Sequence, residues 1–330
     1  MSTLFSHFFA KINQISPLEH NFTEVLDTIV LKPKTLYFYG KMPENVSKIP
    51  NQKTTTQHKK QQKSSSKNRT NVETIRPKTV AIVGSRHNTR YGEEVAYKMA
   101  YELAKKGVII VSGLAYGIDS IAHRGCLDAS GTTVAVLGTP IDHIYPTAHR
   151  PLAREIVEKG GAVMSEYAPG AEVFPRTSFL GRNRLISGLA DIVVVVEAAE
   201  KSGSLNTAAH ALDQGKEVFA VPGNITNPYS QGCNKLIRQG ANPYTGPDDL
   251  LRLLFPEAYL KKRKKPGQTL LFGDTEEETA ILRALADGLR NGEDIMRALD
   301  ISAPEFNQAM TLLEIRGVVC SLGANNWRLN

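Results

Sequence analysis

The residues with the clearest chemistry lie in 181–190, GRNRLISGLA, where Arg182 and Arg184 flank Asn183 ahead of an apolar half-turn. Leu185, Ile186 and Leu189 would anchor a helix in a core, leaving its amino end to present two guanidiniums. A planar guanidinium suits bidentate contact with phosphate, and an asparagine amide can bridge loops or read a base edge. The structural alternative is that one arginine pairs with Asp191 or Glu197 as an internal tie. Phe174 and Phe179, just upstream, are rings on which bases could stack, although burial is the commoner fate of an aromatic.

Four further loops repeat one pattern, small residues and hydroxyls directly after a β-branched run. They are Gly84-Ser85-Arg86, Ser112-Gly113, the stretch Ser202, Gly203, Ser204 to Thr207, and Pro222-Gly223-Asn224. Glycine lets backbone N–H groups approach a phosphate, hydroxyls add donors, and a helix amino end behind each loop adds partial positive charge. Arg86 would bring a full charge to the mouth. Singly, each loop is a weak signal: Gly84 does not open G-x-G-x-x-G, and there is no Walker lysine.

What unites them is the element order. The runs TVAIVG (79–84), VIIVSG (108–113), TVAVLG (133–138), AVMSE (162–166), DIVVVVE (191–197) and EVFAVPG (217–223) alternate with helical segments. Between the first two, Val95, Met99 and Leu103 fall at helical spacing and Gly107 supplies the stop. Strands that are continuously apolar rather than alternating belong to a parallel sheet covered on both faces. The fold class is therefore α/β, a doubly wound, mostly parallel sheet. All of its strand-to-helix loops open on one carboxyl edge, which gathers the separate loops into one crevice.

Of 330 residues, 41% are hydrophobic, enough for a sizeable core, and the formal net charge is +7. That charge is uneven. Residues 47–79 hold nine Lys/Arg and one Glu, and residues 261–265 (KKRKK) add five more cations, so everything else is net negative. Any nucleic-acid site on the folded parts must be a local basic footprint. The expected organisation is a short helical and strand segment over 1–45, with TLYFYG (35–40) as a strand, followed by a disordered basic linker over 46–77. The α/β domain occupies 78–258, a basic spacer 259–271, and a small domain 272–330. The linker reads as a solvated spacer or as an electrostatic arm.

Cys126, Cys233 and Cys320 lie far apart with no C-x-x-C, which excludes a disulfide framework and a thiolate zinc site. His123, His143, His149 and His210 form no H-x-x-x-H or H-E-x-x-H pair, so no metal and no cofactor is expected. With no apolar run near 20 residues and no secretory leader, a cytoplasmic protein without membrane contact is expected. In the last sixty residues, helical spacing over 276–287, 293–299 and 303–316 precedes a hairpin turning at Gly323-Ala324-Asn325, the order of a winged helix. Its candidate recognition helix carries Glu305 and Glu314 against Arg316. Net negative charge there argues for a protein-binding or regulatory module rather than a duplex reader.

The motifs VAIVGSR (80–86), SGLAYGIDSIAHRG (112–125), RNRLISGL (182–189), VVVEAAEKSGSLNTAAHALDQGK (194–216), VFAVPGN (218–224) and GCNKLIRQGA (232–241) resemble, in unbroken order, the DprA/Smf family. The resemblance implies an extended Rossmann-like core that binds single-stranded DNA without catalysis and forms homodimers. It also implies protection of incoming DNA in natural transformation and loading of RecA recombinase onto strands coated by single-strand-binding protein. Carried over by position, it places Gly84, Ser85, Arg86, Arg182, Asn183 and Arg184 along the strand, with Ser112, Gly113 and residues 202–207 beside them. Gly181 stands where some relatives carry a basic residue. Two rival readings come from other classes. One is a nucleotide-monophosphate N-glycosidase of the lonely-guy-like Rossmann class, with Asp119, Glu166 and Glu197 as available carboxylates. That class needs Pro-Gly-Gly-x-Gly-Thr-x-x-Glu, and residues 202–210 lack the glutamate. The other is a module that only senses a mononucleotide. Asp119 itself is expected to orient its loop.

Overall fold

The computed structural model describes residues 11–47, 74–257 and 273–329. Contacts divide the chain into a first unit ending at Phe255 and a second starting at Pro256. The 1–10, 48–73 and 258–272 stretches, which include most of the expected linker and spacer, lie outside the described residues.

The first unit is built on a nine-stranded sheet. Its strands are β1 (Asn13–Ile15), β2 (Leu36–Gly40), β5 (Thr79–Val83), β6 (Ile109–Ser112), β7 (Thr133–Val136), β8 (Ala162–Ser165), β9 (Ile192–Val195), β10 (Glu217–Ala220) and β11 (Asn242–Pro243). A separate two-residue ladder pairs β3 (Val46–Ser47) with β4 (Thr74–Ile75). The sheet order is β1-β2-β8-β7-β6-β5-β9-β10-β11, parallel from β8 to β11, with β2 antiparallel to β8 and β1 antiparallel to β2. All six expected apolar runs are strands of this sheet. The order reverses at β5, where one half of the sheet proceeds through β6 and the other through β9, and a crevice opens at such a switch point.

Among the described residues, six helices connect the strands, α1 (Arg90–Ala104), α2 (Ile118–Asp128), α3 (Arg150–Glu158), α4 (Pro175–Leu189), α5 (Gly203–Asp213) and α6 (Gln231–Arg238), and α7 (Pro247–Leu254) follows β11. Thr89 caps α1 by accepting from the Gly92 N–H, and Gly107 follows its end with a φ of +76°. Alternating strand side chains feed the two layers. Ala81, Val83, Val134, Val136, Val193 and Val195 face Leu185, Ile186 and Leu189 of α4. Ala135 and Val163 face the opposite way, toward Leu152 and Ile156 of α3.

Residues 11–45 belong to the sheet and to its core rather than standing apart from them. Phe22, Leu26, Ile29, Leu36 and Met42 are buried in the same cluster as Leu185 and Leu189. Besides β1 and β2, this segment forms two short 3-10 turns, Pro17–Glu19 and Glu24–Thr28. The described residues stop at Ser47 and resume at Thr74, and these two residues pair in that ladder. Beyond that ladder, Arg76 bonds the Asp191 carboxylate at 3.1 Å and the Thr79 N–H bonds its other oxygen at 2.8 Å. Both ends of the tract are thereby fixed near the amino ends of β5 and β9.

The second unit contains α8 (Glu276–Ala286), α9 (Gly292–Leu299), α10 (Ala303–Ile315) and the hairpin β12 (Val319–Gly323) with β13 (Asn326–Leu329). Three helices and a hairpin follow one another in the order expected from the sequence. Its core centres on Ile281, Leu285, Ile295, Phe306, Met310 and Leu313. Ala324 and Asn325, both at positive φ, make the hairpin turn. All three cysteines are free, and burial pushes the Cys126 and Cys233 thiols up to about 12, which leaves them unreactive. Among the described residues, no helix is long and apolar enough to cross a membrane.

Because Phe22 is fully buried in the shared core, Phe22→Ala should cost about 3–5 kcal/mol in urea unfolding. The first unit should still melt in one transition by circular dichroism. An early separate step would mean that residues 11–45 fold apart from the sheet.

Candidate nucleic-acid interface

A cleft of about 390 Å³ opens at the carboxyl ends of β5 and β9. Three loops and two helix ends form it, and tight packing dictates the small residues among them. A Cβ on Gly84 would lie within 2.9 Å of the Ile118 side chain. Gly117 sits at a φ of +74°, where a Cβ would meet the Ser85 carbonyl oxygen at 2.3 Å. The Ile118 N–H donates to that same oxygen at 3.1 Å, so the loop after β5 is locked against the amino end of α2.

Glu197, 1% exposed at the end of β9, accepts from the Thr89 N–H at 2.8 Å and the Thr89 hydroxyl at 2.6 Å. These bonds hold the 86–89 loop. The Ser85 hydroxyl accepts from the His87 N–H at 3.1 Å, tightening the turn that carries Arg86. The Arg86 guanidinium is exposed, lies 5.7 Å from the Phe179 ring centroid and makes no ion pair with any described residue.

The cleft floor is Arg182, 4% exposed. Its Nη1 donates to the Gly113 carbonyl oxygen at 2.9 Å and to that of Val136, and its Nε donates to Asn183 Oδ1 at 3.3 Å. Asp119, also buried, accepts from the Gly113 N–H at 3.0 Å. Burial lowers the Arg182 pKa to about 10, against the opposing pull of Asp119, so Arg182 stays cationic at neutral pH. Burial raises the Asp119 pKa, and Arg182 opposes that rise. A Cβ on Gly113 would sit 2.6 Å from the guanidinium, which explains a glycine at that position.

On the far wall, Asn183 donates to the Gly203 carbonyl oxygen at 3.3 Å and to Asn206 Oδ1 at 3.2 Å, tying α4 to α5. Ser202 caps α5, its hydroxyl 2.8 Å from that of Ser204. The positive end of the α5 dipole thus meets the cleft, beside Gly203 and Thr207. Phe179 closes the side next to Gly138 and lies 5.4 Å from the Tyr145 ring.

Gly84, Ser85, Arg86, Phe179, Arg182, Asn183, Ser202, Gly203, Ser204 and Thr207 all line this cleft. Gly113 lines a narrow adjoining space with Arg86, Tyr145 and Phe179. Two of the expected residues lie elsewhere. Ser112 is fully buried, its hydroxyl donating to the Ile82 carbonyl oxygen at 2.6 Å across the strand pair. Arg184 lies on the other side of α4, since residues two apart on a helix diverge by about 200°. It forms a two-pronged pair with Glu166 at 2.8 and 2.6 Å and donates to the Leu31 carbonyl oxygen at 2.7 Å. The internal-tie alternative thus describes Arg184, with Glu166 as the partner. Asp191 is held by Arg76 instead, and Glu197 by Thr89.

Asp119 orients its loop, as expected. Tyr229 and His87 also line the cleft, and no motif in the sequence marks them; Ala199, inside the 194–216 motif, lines it too. Among the described residues, no group of three His, Cys, Asp or Glu could hold a metal ion.

Fold and cleft together describe a Rossmann-like α/β protein with its crevice at the sheet's switch point. The family model for DNA recombination-mediator protein A matches residues 68–255, more than half of the chain, and the chain belongs to that family. It is 49% identical over 179 residues to Protein Smf of Escherichia coli (strain K12), covering 53% of this chain and 46% of that protein. It is 45% identical over 261 residues to a putative DNA processing protein DprA of Mycobacterium tuberculosis, covering 78% of this chain and 66% of that one. The chain thus spans about half to two thirds of the curated relatives it matches. Among solved structures, DNA processing protein A from Streptococcus pneumoniae superposes with a TM-score of 0.57 at 32% identity, over 76% of this chain and 77% of that one. The Helicobacter pylori protein gives 0.58 at 28% identity, over 75% and 97%.

The two exposed-versus-buried arginines should separate in stability measurements. Arg184→Ala strips the partner from a nearly buried Glu166 and should cost about 3–5 kcal/mol in urea unfolding, whereas Arg86→Ala should stay within about 0.5 kcal/mol of the parent.

Proposed function

We propose that the chain is a non-enzymatic single-stranded DNA-binding protein that holds the strand by its phosphates in this cleft. It protects incoming DNA and loads a RecA-type recombinase onto it during transformation or recombination. Single-strand-binding protein, which coats the strands it acts on, is a partner, and a homodimer places two clefts on one strand, raising avidity through effective concentration. Family membership supports this reading, as does the Helicobacter pylori relative, which has a described single-stranded DNA binding mode.

The observation that carries the reading is how the charged groups around the cleft are employed. A glycosidase needs a carboxyl free to exchange a proton with the substrate. Here Asp119 is spent on the Gly113 loop, Glu197 on Thr89 and Glu166 on Arg184. The cation at the mouth, Arg86, is by contrast free to meet an anion. Affinity therefore comes from phosphate contacts and modest stacking, with strong salt dependence and little sequence preference.

The second unit serves another purpose. Residues 273–330 contain ten Asp and Glu against five Arg and no Lys. Arg316, at the end of α10, is committed to Asp274 at 2.5 Å and to Glu278. A helix whose terminal cation is already paired has little to offer duplex phosphates, so this unit binds protein or regulates the core.

Fluorescence titration with oligothymidylate, matching duplex and AMP at two salt concentrations tests the main reading. The oligomer should bind tightest, and Arg86→Ala should weaken it while lowering the salt slope by roughly 0.7, one single-strand phosphate contact. Turnover of a mononucleotide, or tighter binding of AMP than of the oligomer, would overturn it. A chain lacking residues 273–330 but keeping the basic 261–265 tract should hold its single-strand affinity within about twofold and gain or lose no duplex binding, since the acidic residues removed neutralise no phosphates.

A further inference from the structure

The cleft is one end of a longer track. The narrow space beside it shares Arg86, Phe179 and Arg182 with the cleft, and shares Tyr145 and Phe179 with a groove of about 520 Å³ beyond. That groove in turn shares Ala171 with a fourth hollow of about 390 Å³, walled by Lys32, Lys34, Tyr37 and Tyr167. Because β2 runs antiparallel to β8, with Tyr37 opposite Ser165, the loop before β2 emerges at the same carboxyl rim as the loop after β8. Residues from the first forty of the chain thus stand on the edge that carries the cleft.

We infer that the bound single strand leaves the cleft across Phe179 and Tyr145 and follows this rim to Lys34 and Lys32, making the amino-terminal segment part of the nucleic-acid interface. The inference rests on the single-strand reading of the cleft and adds the direction and length of the strand's path. Chemistry changes along the track in a way that suits a polynucleotide. The cleft end offers Arg86 and the amino end of α5 to phosphates. The middle groove offers Tyr145, 44% exposed, and the exposed Asp142, whose carboxylate accepts from the Gly170 N–H at 3.0 Å. An acceptor beside an aromatic ring suits a base, whose N–H edge can donate and whose face can stack, and it repels a phosphate. At the far end Glu166 is neutralised by Arg184, and Lys32 is shared with Asp27 at 2.8 Å. Lys34 is exposed and makes no ion pair with any described residue, leaving its ammonium for a phosphate.

From β5 through β6, β7 and β8 to β2 is four strand spacings, about 19 Å at ~4.8 Å each. At a stacked rise of ~3.4 Å that distance takes about six nucleotides, and fewer when the strand is stretched. An oligomer of about two nucleotides held in the cleft therefore falls short of Lys34 whether stacked or stretched, while one of about twenty passes it.

The test measures binding of these two oligothymidylates, short and long, to the full chain and to its K34A, K34E and K34R variants across a salt series. The long oligomer should lose roughly tenfold in affinity with K34E and less with K34A, its salt slope falling by roughly 0.7, while K34R restores the parent value. The short oligomer should bind all four proteins alike. Equal weakening of both oligomers would reduce Lys34 to a distant charge, and an unchanged long oligomer would place the strand elsewhere; either overturns the inference while the cleft reading stands. Failure of the parent chain to bind either oligomer would overturn both.

Discussion

A guanidinium buried beneath the crevice is the interaction on which the rest of the first unit depends. Removing a charge from water is expensive unless opposing groups offset it. Arg182 meets that condition through the carbonyl oxygens at the ends of β6 and β7 and through the nearby Asp119 carboxylate. The same contacts tie α4 to two strand ends and hold the Gly113 loop open. Gly113 is a consequence of this arrangement, since any side chain there would displace the guanidinium. The positive floor of the cleft is thus a structural part, rigid before any ligand arrives, and Arg86 is the adaptable cation above it.

Charge is divided among regions of the chain in a way that bulk composition conceals. The basic excess sits in two tracts, the folded core is nearly balanced, and the second unit is acidic with its Arg316 internally paired. The larger tract has both ends fixed near the amino ends of β5 and β9, the edge opposite the cleft. A +7 chain therefore presents its site as a few positioned cations and a helix dipole rather than as a broad basic face. On the proposed reading, such a site suits a strand that can be threaded along a rim better than a duplex that must be covered on one side.

The parallel sheet and its crevice were readable because apolar runs bounded by Gly and Ser report local burial directly. All six runs over 79–223 are strands, and ten of the thirteen expected site residues line the main cleft. Arg184 and Ser112 were not separable from their neighbours by motif. Helical period does place Arg184 opposite Arg182, so that signal was present, but its partner Glu166 lies in the loop just after β8. The amino-terminal segment was hardest to read. Its strands are three and five residues long, its turns are short 3-10 helices, and its apolar residues become a core only against α4.

The order of strands and helices, the loops that face one edge and the acidic character of the carboxy-terminal unit follow from the sequence by itself, because each depends on periodicity or composition within a short window. Which arginine is floor, which is mouth and which is internal tie was decided only in three dimensions, as was the joining of residues 11–45 to the sheet. Those outcomes depend on carbonyls, carboxylates and apolar faces brought together from distant parts of the chain, and no local pattern encodes the partner that a buried charge or a short strand will find.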